Sequence, residues 1–432
     1  MKPHLIIKVK QPFETPTVFW EKAIGSKNMV PERFLPSIDQ ILKKKYGLRF
    51  WLTKNYKPKN EEWSKDEIEA GFNRIYRLIL QKNTRIPPSI IQEVQLLPQV
   101  EYVRVGGIAT TGLPHSNLVR GASLSQRYRN NGIYLEAAHA FSKGSPLIKV
   151  AILDTGFDVD HPEIQHAMLP GKDFVNIIDG ASQFIGDFLD YDDSPEDEVG
   201  HGTHVAGIIA AQGRKMPIGV VPQCKIIPVK VLGALKRGDG AVGAGLIDNI
   251  NNGIKWAVDQ GAEVINMSLG IKHTGGGLPH EEVIKYALKK GVTVVAASGN
   301  DGRQDKYYPG ALPGVIAVGA ADDHGKVARF STFGGHVSLI APGVNIYSSF
   351  LKGGYAMSSG TSQAAPFVSG AIALIKSFAH SKGQKLRDKQ IKYLLKHTSD
   401  KVSGRFKDLR AGFGRINLLD ALKLYQYKTS IL

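Results

Sequence analysis

The chain has 432 residues, which exceeds one ordinary domain and allows a large core. Its single cysteine, Cys224, excludes internal disulfides and fits a reducing compartment. The formal charge of +16 is uneven, with lysine and arginine in excess over residues 1–112 and 376–432 and the middle near neutral.

In chain order, Leu5 to Lys10 reads as a strand, Ser37 to Lys45 as a helix and Arg74 to Gln81 as a strand. A helix begun by proline follows from Pro88 to Leu97, then a strand from Val100 to Val105. These elements make a small α+β unit, residues 1–112, to whose first seventy residues the sequence assigns no role. Beyond it, strands near 147–153, 226–232, 263–268, 292–297 and 315–320 alternate with helices near 202–212, 246–260, 281–290 and 362–378. That alternation predicts an α/β domain over 113–432, its mostly parallel sheet covered by helices on both faces. Leu386 to His397 has helical spacing, so the basic C-terminal segment reads as a solvated helix face.

Three stretches carry chemistry. The apolar run Leu147 to Leu153 ends at Asp154, followed by Thr155-Gly156, where open α/β sheets place functional groups. His201 opens a helix rich in small residues, His201-Gly-Thr-His-Val-Ala-Gly207, and is thereby held rigidly. Ser362, in Ser359-Gly-Thr-Ser362-Gln-Ala-Ala-Pro366, also lies at a helix start, near unpaired N–H groups and the positive end of the dipole. Together they offer a nucleophile, a base and an orienting carboxylate for acyl transfer. Each alone has a bland reading as a turn residue, a cap or a loop serine; their order and contexts argue against coincidence.

Rival motifs are weaker. His201 and His204 lack the glutamate of a zinc-protease helix, so no metal is expected there, and His204 reads as a packed or capping residue. No Gly-x-Ser-x-Gly elbow occurs. Gly238-Asp-Gly240-Ala-Val-Gly243 mimics a dinucleotide loop, a weak signal on its own.

The Asp154, His201 and Ser362 stretches, in that order, resemble those of the subtilisin-like serine proteases, from about Tyr134 to Lys423. The resemblance implies a serine endopeptidase with a subtilisin-like fold, acting on protein or peptide substrates. It implies an oxyanion hole made by Asn300, which ends the strand Val292 to Ala297, and the Ser362 N–H. It also implies a substrate cleft walled by Gly238 and Gly240 on one side and Ser268-Leu269-Gly270 on the other, where an extended peptide adds as a strand. The run Leu96 to Val103 resembles the end of a subtilase propeptide. The chain's own N-terminal region would then inhibit the cleft, with Gly106 to Gly112 inside it and maturation near Gly112. The alternative is a permanent N-terminal domain that binds substrates or partners. An inactive protease fold serving as a binding module is the rival from another class.

There are departures from the family. Gln363 and Phe367 replace common neighbours of the nucleophile, and the loop Gln212 to Val220 is shorter and more basic than a calcium loop. No cofactor is required for the chemistry, although the acidic stretch Asp187 to Glu198 leaves room for a structural calcium; a solvated loop is the favoured reading. Nothing suggests a membrane partner, and nucleic acid is disfavoured because no aromatic-rich motif accompanies the basic charge. The N-terminus lacks an apolar h-region, so a cytoplasmic location is expected, with secretion as the alternative.

Overall fold

A computed structural model describes residues 2–16, 18–20, 29–111, 132–175, 184–185, 193–238, 240–273 and 277–430. Gly112 and the acidic residues Asp187, Asp190 and Asp192 lie outside the described residues. The N-terminal unit is built on four antiparallel strands: β1 (His4–Val9), β2 (Phe50–Lys54), β3 (Ile75–Leu80) and β4 (Val100–Val105), ordered β2–β3–β1–β4. One face is covered by α1, α-helical over Pro36–Asp39 and π-type over Gln40–Lys45, and by α3 (Pro88–Gln95), which begins at proline. Ile38, Leu42, Ile90 and Val94 from these helices pack on Leu5, Ile7, Leu78 and Val103. The short helix α2 (Lys65–Ala70) starts from a capping box between Ser64 and Glu67.

After β5 (Ile108–Thr110) and α4 (Leu135–His139) comes a seven-stranded parallel sheet. Its strands are β6 (Lys149–Asp154), β7 (Lys172–Asp173), β9 (Lys225–Lys230), β12 (Val264–Met267), β14 (Thr293–Ala297), β16 (Ile316–Ala321) and β17 (Val337–Pro342). They are ordered β17–β16–β14–β12–β6–β9–β7. Side chains alternate between two cores. Val150 and Ile152 of β6 face α5 (His201–Ala210) and α8 (Thr361–Ser381), whereas Ala151 and Leu153 face α6 (Ile247–Asp259) and α7 (Glu281–Lys289). Each fully buried Val, Leu or Ile contributes about 1.5–3 kcal/mol, so a strand buried on both faces must be apolar throughout. Helices α9 (Asp388–Thr398) and α10 (Leu418–Ser430) complete the α5/α8 side. None of the described helices is long and apolar enough to cross a membrane.

The glycine-rich segment expected as a single loop is a hairpin of β10 (Gly233–Arg237) and β11 (Gly240–Leu246). This hairpin belongs to a second sheet, β5–β11–β10–β8, whose outer strand is β8 (Phe184–Ile185). A two-stranded ribbon is absent from a dinucleotide site, where the glycines must lead straight into a helix N-terminus. Two smaller ribbons pair β13 (Ile271–Lys272) with β15 (Tyr307–Tyr308), and β18 (Ile346–Phe350) with β19 (Gly354–Ser358).

The N-terminal sheet docks on α6 and α7. Ile6, Tyr56, Phe72 and Ile75 join the core beneath these helices, with Phe72 edge-on to Tyr286 at 5.1 Å. Polar contacts surround that patch. Asp248, in the first turn of α6, accepts from Arg104 at 2.6 Å and contacts His4 at 3.3 Å, and Glu282 accepts from Lys8 at 2.6 Å and Tyr102 at 2.7 Å. Burial opposes the Asp248 charge, but Arg104, His4 and Arg77 outweigh it and hold the carboxyl well below the usual range. Lys255 of α6 pairs with Glu67 at 2.5 Å.

Candidate active site

Asp154 is the last residue of β6 and His201 the first of α5, so the strand end and the helix start must touch for these side chains to meet. Gly202 permits that contact: a Cβ there would stand 2.1 Å from the Gly156 carbonyl. His201 Nδ1 bonds Asp154 Oδ1 at 2.5 Å, and the same oxygen accepts the Thr155 N–H at 2.8 Å. A carboxylate only accepts, so Nδ1 carries the proton and Nε2 is the basic nitrogen of the neutral ring. Nε2 is buried without a hydrogen-bond partner among the described residues. Burial works against the imidazolium, but the charge and hydrogen bond of Asp154, with Asp197 beyond, outweigh it and raise the His201 pKa above its ordinary value.

Ser362 is the second residue of α8, a helix buried from Thr361 to Ala379. Pro366 lies one turn on and has no N–H to return to the Ser362 carbonyl. That carbonyl accepts the Ser268 hydroxyl instead, at 2.8 Å, while the Ser362 hydroxyl donates to the Ser268 carbonyl at 3.1 Å. The proline thus ties the helix start to the residue just past the end of β12. The Ser362 hydroxyl points to Ser268 rather than His201; where a serine serves a histidine base, that bond commonly tightens only with substrate in place. Asn300 lies beyond the end of β14; its Oδ1 accepts the Thr361 N–H at 2.8 Å and hydroxyl at 2.9 Å. This fixes the amide with its oxygen on Thr361 and its NH₂ on the other side.

An N-terminal strand lies between β11 and Gly270. β5 runs antiparallel to β11, pairing Thr110 with Ala244, Ala109 with Gly245 and Ile108 with Leu246, and Thr111 N–H donates to Gly243 O at 2.8 Å. On its other side Thr110 bridges Gly270. An extended segment therefore spans the space between the two edges, a few residues from Ser362.

The family model described as the Subtilase family matches residues 146–414. The chain belongs to the subtilase family. It is 35% identical over 338 residues to the thermophilic serine proteinase of a Bacillus species (strain AK1), covering 77% of this chain and 75% of that protein. The major intracellular serine protease of Bacillus subtilis is 40% identical, over 58% of this chain and 76% of the relative. Thermitase of Thermoactinomyces vulgaris is 36% identical, over 65% and 90%. Among solved structures, the prenylagaramide maturation protease PagA matches with a TM-score of 0.54 and 31% identity, covering 67% of this chain and 97% of that one.

In this subtilase, Ser268 meets Ser362 and Gly270 bridges Thr110, while Ser268 and Leu269 are both buried. Gly238 and Gly240 lie at the turn of the β10–β11 hairpin, and the edge paired to the bound strand is Gly243 to Leu246. His204 is packed: its Nε2 lies 3.1 Å from the Ile346 carbonyl and 3.2 Å from that of Ala356, and burial, with His201 nearby, lowers its pKa to about 4. Among the described residues no group of three or more His, Cys, Asp and Glu side chains is arranged to hold a metal ion. The basic loop after α5 folds about a carboxylate. Glu163 accepts the N–H groups of Gly213, Arg214 and Lys215 at 2.9, 3.0 and 2.6 Å, so the loop turns donors inward rather than oxygens.

Asp197 is the residue that sequence reasoning missed, having grouped it with the solvated acidic stretch. Its carboxylate accepts from the hydroxyls of Thr155 and Thr203 at 2.8 and 2.7 Å. It also takes the N–H groups of Val199, Gly200 and Thr203 at 3.0, 2.8 and 3.0 Å. Burial lifts its carboxyl above the ordinary range, against those five bonds. It joins the turn after Asp154 to the start of the His201 helix. The available signal was an acid just before a helix N-terminus, where exposed N–H groups need an acceptor.

Proposed function

We propose that this subtilase hydrolyses peptide bonds through Asp154, His201 and Ser362, and that its N-terminal unit restrains the cleft until cut near Gly112. The observation that carries the chemistry is the 2.5 Å bond from His201 to Asp154, which leaves Nε2 as the base at a water-poor site. Nε2 takes the Ser362 proton as Oγ attacks the substrate carbonyl. Asn300 and the Ser362 N–H stabilise the tetrahedral oxyanion. The intermediate collapses, His201 protonates the departing amine, and water attacks the acyl-enzyme with His201 again as base. Asp154 orients the imidazole and balances its charge throughout. The antiparallel pairing of Ile108–Thr110 supports the restraint, because a substrate strand competes for the same main-chain partners.

N-terminal sequencing of the purified wild type and of Ser362→Ala tests both parts. The wild type should show a new N-terminus close to Gly112 and Ser362→Ala should stay whole. An intact, fully active wild-type chain would make residues 1–112 a permanent accessory domain.

A further inference from the structure

Beyond the ends of the neighbouring strands β12 and β14, the chain continues as Ser268-Leu269-Gly270 and Ser298-Gly299-Asn300. Gly270 and Gly299 on these arms bound a slot one side chain wide, and beside it Ser362 bonds Ser268 and Asn300 accepts from Thr361. The bridge of Thr110 to Gly270 sets the register: in a peptide bound this way, the residue two positions on stands opposite Ser268. Its carbonyl is then beside the nucleophile, and its side chain has the slot to enter.

Tyr307 occupies that slot. Its backbone pairs with Lys272 in the β13–β15 ribbon. A Cβ built on Gly299 would stand 2.4 Å from its ring, and one on Gly270 would stand 3.3 Å from its Cβ, so the side chain rests on both walls. The ring is also clamped from outside. Its hydroxyl lies 3.4 Å from Asp301 Oδ2, and the Lys272 ammonium sits 5.2 Å from the ring centroid. That ammonium is itself held by Asp301 at 2.8 Å and Asp305 at 2.5 Å.

We propose that Tyr307 plugs the pocket for the residue on the acyl side of the cleaved bond, restricting this subtilase to glycine, alanine and serine there. This rests on the serine-protease reading of the site. If the chain is cut near Gly112 as proposed, its own residue two after Thr110 is the small Gly112. A larger side chain can enter only by displacing a ring that contacts glycine on both sides and two charged groups at its tip. Close-packed sites respond strongly to such demands, since one methylene changes kcat/KM by about 10–200-fold.

The test uses full-length enzyme, incubated until its activity is steady, with chromogenic peptides Ile-Ala-Thr-Thr-X in which X is glycine, alanine, leucine or phenylalanine. The wild type should favour alanine over phenylalanine by at least about 100-fold in kcat/KM. Tyr307→Gly and Tyr307→Ala should cut that ratio to about tenfold or less. Tyr307→Phe, which keeps the ring and loses only the hydroxyl, should retain the preference. Two variants of different size guard against misfolding, and fluorophosphonate labelling reports an intact site in each. A wild type that cleaves after phenylalanine as readily as after alanine would overturn the proposal, as would an unchanged ratio in both labelled small variants. Absence of labelling and of hydrolysis with every peptide would refute the protease reading and the pocket with it.

Discussion

Replacing Asp197 by Asn separates its two roles, electrostatic and structural. All five groups around the carboxylate donate, so the amide can keep Thr155, Val199 and Gly200 on its oxygen but turns NH₂ toward the Thr203 N–H. One charge-assisted bond is lost outright and the others lose their ionic character. With about 1.5–3 kcal/mol for a hydrogen bond to a charged group, destabilisation of about 2–3 kcal/mol is expected, visible as a lower Tm. The second effect has a definite sign. Asp197 favours the His201 cation, so removing its charge lowers the His201 pKa. The base works when neutral, and the acid limb of kcat/KM should therefore move to lower pH. In the wild type that limb should lie above the ordinary histidine value of 6.5. The assay is a pH–rate profile of both enzymes, with NMR titration of the His201 imidazole. A variant that is less stable but has an unmoved acid limb and histidine titration would refute the electrostatic argument.

Other substitutions follow from the same geometry. Asp154→Asn keeps the shape but favours the wrong His201 tautomer, and should lower kcat by about 10⁴ in steady-state assays. Asn300→Ala should cost about 10²–10³ in kcat with little change in KM, a figure that belongs to the same donor in a subtilisin. Arg104→Ala leaves Asp248 buried with His4 and the charge of Arg77 against it but without its ion-pair partner, and breaking such a pair costs about 3–5 kcal/mol. In a Ser362→Ala background it should speed hydrogen exchange in strands β1 and β4, read by mass spectrometry.

Much of the fold was legible because both signals were local. The strand ending at Asp154 is apolar on consecutive positions since Val150 and Ile152 enter one core and Ala151 and Leu153 the other. The Pro88 helix and the Val100–Val105 strand carried their own punctuation. The β10–β11 hairpin was not legible, because its glycines pack against distant residues: a Cβ on Gly245 would stand 2.1 Å from the Val231 carbonyl. Strand β2 and helix α2 were missed as well. Lys54 and Glu67 are buried charges whose partners, Tyr76 and Lys255, come from elsewhere in the chain, so no local pattern marked these elements. In the site, Asp154, His201 and Ser362 announced themselves through small neighbours at element ends. Asp197 and Tyr307 did not, because their roles depend on which strand ends become neighbours in space.

The central claim, a nucleophilic serine served by His201 and Asp154, is tested most directly by treating the enzyme with a fluorophosphonate and mapping the adduct by peptide mass spectrometry. The account predicts one modified residue, Ser362, with labelling abolished in Ser362→Ala and slowed strongly in Asp154→Asn. Adduct at another serine, or labelling and hydrolysis that persist in a folded Ser362→Ala protein, would contradict it.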